Sequence, residues 1–484
     1  MNRRAFLQAA ALQATIRPPA SSKLNFVFIL IDDLGWRDTG YGGSRFYETP
    51  NIDKLASRGV RFTNAYSTAP TCSPARASIL TGKYPARLGL TNELPGRHEL
   101  PYSKVLPPVS KQFLALDEIT IAKELHAAGY ATASIGKWNL GGARYYPENQ
   151  GFDVNFAGND SGTPRSHFYP DWNGNPPIPA AAGEYLADAL TDAAEAFVHR
   201  NAAKPFFLWL SHFGVHTPIQ AKREVIATYK IKADPKNPQH DPVYAAMIRS
   251  IDDSVGRIVQ RLDSDGLTDR TVIVFTSDNG GLTSATSNLP LRAGKGFLYE
   301  GGIRVPLCVV WPGAVKPGSV TDVPVIGTDF YRTIAQMAGV VKLQGAPKDG
   351  VNLTTLLRRN FPPARDALFW HYPHYSAQGG RPGGAIRLGD WKLIRWYEDD
   401  ALEFYNLRSD PGEKKNLATD EAAKARGMLA LFNDWLASLH PAMPTPNPAY
   451  DPAVETEGLD PAIQDQLKSG ELPKPSVNPV PPPA

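Results

Sequence analysis

Cysteine is almost missing from this chain: its 484 residues hold two, Cys72 and Cys308. Two cysteines so far apart make no disulfide framework. No cluster of cysteine and histidine offers the ligand set that suits zinc. Long apolar runs are missing as well. Beyond the N-terminus none reaches the ~20 residues that a membrane helix needs. Charge of one sign is not in excess, and a formal net charge of +3 argues against general nucleic-acid binding. No internal repeat is found. What remains is an ordinary globular composition, long enough for one large domain with a smaller one, or two of similar size.

The first residues read MNRRAFLQAAALQATIRPPASS. Two arginines precede a short apolar run, and proline and serine follow. This is the pattern of a twin-arginine export signal over 1–22, so the expected product is soluble and periplasmic or secreted.

From residue 24 the run LNFVFILI has strand length and β-rich composition. Three further apolar runs, ATASI from Ala131, PFFLWLS from Pro205 and TVIVFTS from Thr271, each follow a helical stretch. In the last of these helices Met247, Ile251, Val255, Ile258 and Leu262 recur at steps of three and four. Helix then strand, three times over, predicts an α/β fold with helices on both faces of a sheet. After about residue 360 the pattern changes. GAIRLGDWKLIRWYEDDALEFYNL alternates apolar and polar positions between turn pairs and predicts an antiparallel meander, followed by a helix. The expected division is a large α/β domain over 23–360, a smaller α+β domain over 361–440 and a proline-rich, extended tail over 441–484.

The polar residues stand at the strand ends, where open α/β sheets bind ligands. The first strand ends in Asp32 and Asp33. The second ends in Gly136-Lys137-Trp138-Asn139, the third in His212 with His216 four residues on, and the fourth in Asp278-Asn279. Asp32, Asp33, Asp278 and Asn279 are hard oxygen ligands suited to Ca²⁺ or Mg²⁺. Lys137, Lys295, Arg76 and His216 add positive charge or proton donors, and such a site is built for a tetrahedral anion. Glycines flank Lys295, as if to let backbone approach a ligand. Cys308 sits in the apolar VPLCVVWPG and reads as a small buried hydrophobe. Cys72, between Thr71 and Ser73-Pro74, has no such apolar setting.

The surroundings of Cys72 carry a resemblance. CSPARASILTG from Cys72 resembles the maturation motif of the formylglycine-dependent sulfatases, an arylsulfatase-like family of the alkaline phosphatase superfamily. LIDDLGWRD from Leu30, GKWNLGG from Gly136, HTP from His216, TSDNGG from Thr276 and GKGFLYEGGIRVP from Gly294 resemble its other blocks, in order. GDWKLI and YNLRSDPGEKKNLA resemble its smaller domain. The resemblance implies a large mixed sheet sandwiched by helices, with a smaller C-terminal α+β domain carrying an antiparallel sheet. It implies sulfate-ester hydrolysis, with Cys72 oxidised to Cα-formylglycine by a formylglycine-generating or anaerobic maturation enzyme. It makes Asp32, Asp33, Asp278 and Asn279, with residue 72, the ligands of Ca²⁺, ahead of Mg²⁺. Arg76 then supports the nucleophile, Lys137 and Lys295 neutralise the sulfate, and His216 protonates the leaving alcohol.

The chain departs from the family at Asn139, where a histidine that helps release sulfate is usual; Asn cannot serve as a base near neutral pH. A neighbour such as His212, or water, is the expected substitute. Two other readings follow: a phosphate or phosphonate ester hydrolase of the same superfamily, or a non-catalytic binder of sulfated glycans. For the substrate, a sulfated small molecule or glycan, the expected rim is Arg97 and His98 in LPGRHEL, with His371 and His374 in FWHYPHY.

Overall fold

The computed structural model describes residues 23–96, 103–172, 178, 180–340, 342–344, 349–454, 461, 464, 465 and 469. Residues 1–22, expected as an export signal, Arg97, His98 and most of the tail beyond residue 454 lie outside the described residues.

Eight strands form the main sheet. They are β1 (Asn25–Ile31), β2 (Val60–Phe62), β3 (Ala131–Gly136), β4 (Val154–Phe156), β5 (Phe206–His212), β6 (Thr271–Ser277), β7 (Leu307–Val310) and β8 (Ser319–Thr321). Side by side they run β8-β2-β7-β6-β1-β5-β3-β4. The five from β6 to β4 are parallel. β7 runs antiparallel to β6 and β2, which makes the sheet mixed. Every residue of β1, β5 and β6 is buried, as expected of strands covered on both faces.

Alternation along the strands sorts side chains between two cores. Val27, Ile29, Ile31, Leu208 and Leu210 face helices α3 (Leu186–Arg200) and α4 (Pro242–Ser264). Phe26, Phe28, Leu30, Phe207 and Trp209 face α1 (Cys72–Thr81), α2 (Ile121–Ala127) and α5 (Asp329–Met337). The helical stripe of α4, including Met247, Ile251, Val255, Ile258 and Leu262, is buried. Its start is capped by Asp241, whose side chain accepts from the Val243 and Tyr244 amides. Cys308, in β7, is a buried apolar residue as read.

The C-terminal region carries a separate antiparallel sheet in sequential order: β9 (Ala367–Tyr372), β10 (Gly383–Leu388), β11 (Trp391–Trp396) and β12 (Leu402–Asn406). Helix α6 (Ala422–Leu439) covers one face with Ala425, Met428, Phe432 and Leu436. On the other face Trp370, Tyr372 and Trp396 pack on Phe297, Tyr299 and Ile303, which follow Lys295 in the chain. That apolar seam binds the second sheet to the loop that carries Lys295. Beyond α6 the chain runs back: the Ala442 carbonyl contacts His371, and Thr445–Pro446 pairs with Val105–Leu106.

Candidate active site

Four parallel strands end along one edge, and their last carbonyls and following amides continue the ladder outward. Asp278 N donates to the Ile31 carbonyl (3.2 Å) and Lys137 N to the Ser211 carbonyl (2.8 Å). At Gly136, with φ +99°, a Cβ would fall 1.9 Å from that Ser211 carbonyl, so only glycine fits. The turn after β1 puts Asp33 in the left-handed region (φ 63°), which Asp tolerates.

Helix α1 starts at Cys72, and all ten of its residues are buried. The absence of an apolar run around Cys72 therefore does not leave it exposed. Arg76 lies one helical turn on, on the same face. Its guanidinium donates to Asp278 Oδ2 (2.8 Å from Nε), to the Lys137 carbonyl (3.1 Å) and to Ser211 Oγ. The Lys137 ammonium is 2.7 Å from Asp32 Oδ2, and that of Lys295 is 2.8 Å from Asp33 Oδ2. Asn279 donates to Asp33 Oδ1 (2.8 Å). His216 Nε2 is 3.6 Å from Asp33 Oδ2, and its Nδ1 is 3.1 Å from Thr217 Oγ1.

Three carboxylates thus meet three cations, and the cluster is neutral by itself. It is not fully satisfied. Asp32 Oδ1 and Asn279 Oδ1 are buried without a hydrogen-bond partner among the described residues. Asp32, Asp33 and His216 offer ligand atoms within 4.8 Å of one another. Orphaned oxygens beside clustered carboxylates fit a hard divalent cation. Adding one leaves the cluster with net positive charge, which an anion would offset.

Electrostatics follow from the crowding. Burial, with Asp278 and Asp33 nearby, pushes the Asp32 carboxyl up against the pull of Lys137. Burial also acts on Asp33, but Lys295, His216 and Lys137 hold it below the usual carboxylate range. Burial, with Lys295 adding to it, pulls His216 down to about 3. Burial pushes the Cys72 thiol up, although Lys137 and Lys295 oppose it. An unmodified Cys72 is then a protonated thiol, a poor nucleophile.

A cavity of about 490 Å³ opens over this cluster, and its lining includes Cys72, Glu93, Asn139, His216, Lys295 and Gln378. Lys137 and Arg76 are fully buried behind it, on the carboxylates. Asn139 holds the left-handed conformation (φ 55°), again suited to Asn. Its Oδ1 accepts from Ser73 Oγ (2.6 Å) and lies 3.6 Å from Cys72 Sγ. Its Nδ2 donates to the carbonyls of Leu94 (3.1 Å) and Asp160 (3.0 Å). Asn139 thereby ties the cavity wall at 94 and the loop at 160 to the start of α1.

Three histidines read as substrate residues stand elsewhere. His212 is even-numbered on β5, like Leu208 and Leu210, so it points under α3 and α4. Its Nε2 meets Ser254 Oγ of α4 at 2.9 Å, and it does not line the cavity. His371 lies in β9, a strand not anticipated there, with Nδ1 2.7 Å from Tyr397 OH. His374 Nε2 is 2.8 Å from Thr91 Oγ1. Both are 3% exposed, and neither lines the cavity. The C-terminal contribution comes instead from Ala377 and Gln378. The glycines that flank Lys295 make close contacts inside the protein. A Cβ on Gly294 would fall 2.3 Å from the Gly281 carbonyl, and one on Gly296 2.4 Å from Ser376 Oγ. They let the Lys295 loop pack closely against the segments at 281 and 376. Glu93 and Gln378 were missed because no spacing marks them; Ser73 was adjacent to the motif and legible in principle.

The sulfatase family model matches residues 24–340, and the model described as N-sulphoglucosamine sulphohydrolase, C-terminal, matches 293–432. The chain is 34% identical to a sulfatase of Formosa agariphila, over 85% of this chain and 87% of that one. It is 32% identical to human arylsulfatase A over 97% of each chain. Among solved structures it is similar to Ps i-CgsB in complex with k-i-k-neocarrahexaose, with TM-score 0.75, 29% identity and coverage of 93% of this chain and 98% of that one. The chain belongs to the sulfatase family, whose members are sulfuric ester hydrolases.

Proposed function

We propose that this member of the sulfatase family hydrolyses a sulfate ester of a carbohydrate, using an aldehyde made by oxidation of Cys72. The observation that carries the reading is the placement of Cys72: it faces the cavity with Lys295 and His216, at the rim of a carboxylate cluster with two orphaned oxygens. The carbohydrate class is supported by the neocarrahexaose held in the similar solved structure.

In this reading Asp32, Asp33, Asp278, Asn279 and residue 72 hold Ca²⁺. The oxidised side chain supplies the attacking oxygen, and the cation supplies Lewis acidity beside it. Arg76 anchors Asp278 and the backbone at Lys137, and so holds the acids in place. Lys295 and Lys137 place positive charge where the sulfate oxygens gain negative charge. His216 donates a proton to the departing alcohol oxygen. It is held neutral by burial, and the negative charge of an entering sulfate favours its protonated form. Asn139, with its amide engaged on four partners, orients the start of α1 and carries no proton.

A maturation enzyme must act before burial is complete, since Cys72 is 4% exposed in the folded chain. Residues 1–22 serve as a twin-arginine export signal, and the divisions at 360 and 440 are domain boundaries. The test is intact mass of residue 72 together with sulfate release from sulfated oligosaccharides and from matched phosphate esters. Unoxidised Cys72 in active protein, or faster turnover of the phosphate esters, overturns the reading.

A further inference from the structure

The cavity has two chemically different sides. Its floor is cationic and suits the sulfate. Its wall includes Glu93, the one carboxylate that lines it among the described residues. No hydrogen bond or ion pair among them engages that carboxylate: only the backbone amide of Glu93 is engaged, donating to Asn92 Oδ1 at 3.0 Å. A free carboxylate beside an anion site opposes sulfate binding unless it recognises something else. It is also held in place. Its neighbours are tied down, Leu94 by Asn139 and Ser73, and Asn92 by Ser110 and Tyr372. A second acceptor lies on the same cavity. Gln378 Oε1 is buried and without a hydrogen-bond partner among the described residues. Its loop is supplied by the region of the second sheet.

Both groups accept hydrogen bonds, and neither has a donor among the described residues. We propose that Glu93, assisted by Gln378, reads the substrate beside the ester. It accepts a hydrogen bond from a hydroxyl or ammonium group next to the sulfated position, and it turns away substrates with a second anion there. This rests on the cavity being a sulfatase site. A hydrogen bond to a charged acceptor favours the right ligand, and an unpaired or like-charged neighbour penalises the wrong one.

The test uses three small probes: phenyl sulfate, catechol monosulfate and catechol disulfate. They differ only in carrying a hydrogen, a hydroxyl or a second sulfate beside the ester. Affinities are measured by calorimetry on protein whose Cys72 is left unoxidised, and kcat/KM is measured on matured protein. Wild type is expected to prefer the monosulfate over phenyl sulfate, and phenyl sulfate over the disulfate, by about tenfold at each step. Glu93→Gln is expected to compress the gap between phenyl sulfate and disulfate by about tenfold. Equal ratios in wild type and Glu93→Gln, no ordering in wild type, or no binding of any probe overturn the proposal. Binding in the expected order without turnover of matured protein overturns the sulfatase reading and leaves standing only that Glu93 reads the group beside a bound sulfate.

Discussion

Two of the places where the molecule buries charge differ in what lies beside them. Around Lys392, between the two sheets, Glu300 places Oε1 3.0 Å from Lys392 Nζ and Oε2 2.7 Å from Tyr66 OH. Glu413 lies 2.9 Å from the same ammonium. Nearby, Glu403 accepts from Trp396 (3.0 Å), Tyr299 (3.1 Å) and Tyr405 (2.6 Å). Every oxygen of Glu300 and Glu403 has a partner, Glu413 Oε1 has no hydrogen bond but sits against the Lys392 ammonium, and none of these residues lines the active-site cavity. At the end of the main sheet, by contrast, Asp32 Oδ1 and Asn279 Oδ1 have no hydrogen-bond partner among the described residues, and Lys295 and His216, which contact Asp33 in the same cluster, line that cavity. Burial of charge alone does not mark a functional site, since both regions have it. An incomplete set of partners beside an open volume does, because leaving a buried polar group unpaired is costly unless something completes it.

Four experiments sharpen or break that contrast. Cys72→Ala should lower sulfate release by about 10⁴-fold or more, with far-UV circular dichroism unchanged, because the nucleophile is lost and the helix is not. Activity near wild type would remove the catalytic meaning of the cluster at the sheet end. Exhaustive demetallation should come next in effect. Ligand at a hundred times its Kd stabilises by about 2.7 kcal/mol. Stripping the cation should therefore lower Tm by several degrees, and Ca²⁺ should restore both Tm and activity. If calorimetry showed no change, the orphaned oxygens would have another explanation.

The Lys392 cluster should respond in stability alone. Lys392→Met leaves Glu300 and Glu413 facing each other without their cation and should cost about 3–5 kcal/mol. Its kcat per folded molecule should stay within a few-fold, and denaturant titration beside active-site counting separates the two. The smallest effect concerns the displaced histidines. Burial pulls His212 and His374 down to about 3 and His371 down to about 4. The unfolded chain binds protons at these histidines from about pH 6.5 downward, before the folded chain does. Stability should therefore fall as pH drops below that value, by up to ~1.4 kcal/mol per pH unit for each histidine. His374→Gln should make the decline shallower. His371→Ala and His374→Ala should hurt aryl and glycan turnover alike; a loss confined to glycans would return these residues to the substrate rim.

The chemistry-bearing residues at the strand ends were legible before any coordinates. Asp32, Lys137 and Asp278 follow apolar runs directly, and a parallel sheet gathers the ends of its strands along one edge. Position along the chain then implies position in space. The same local patterns also foretold the helices on both faces of the sheet and the C-terminal meander, while the mixed sheet was implied by the family resemblance. Direction was not legible. His212 and Ser211 are adjacent in sequence, yet alternation sends one under α4 and the other to Arg76. His374 looked like a rim residue and became a strut for the wall at Thr91, while Gln378, four residues on, reaches the cavity. Those outcomes depend on which loop packs on which, and the packing is set by non-local contacts such as Trp370 on the loop after Lys295. Residue type and spacing therefore determined what chemistry this chain carries. Only tertiary structure decided which side chains face the cavity, because burial and pairing are properties of the whole fold.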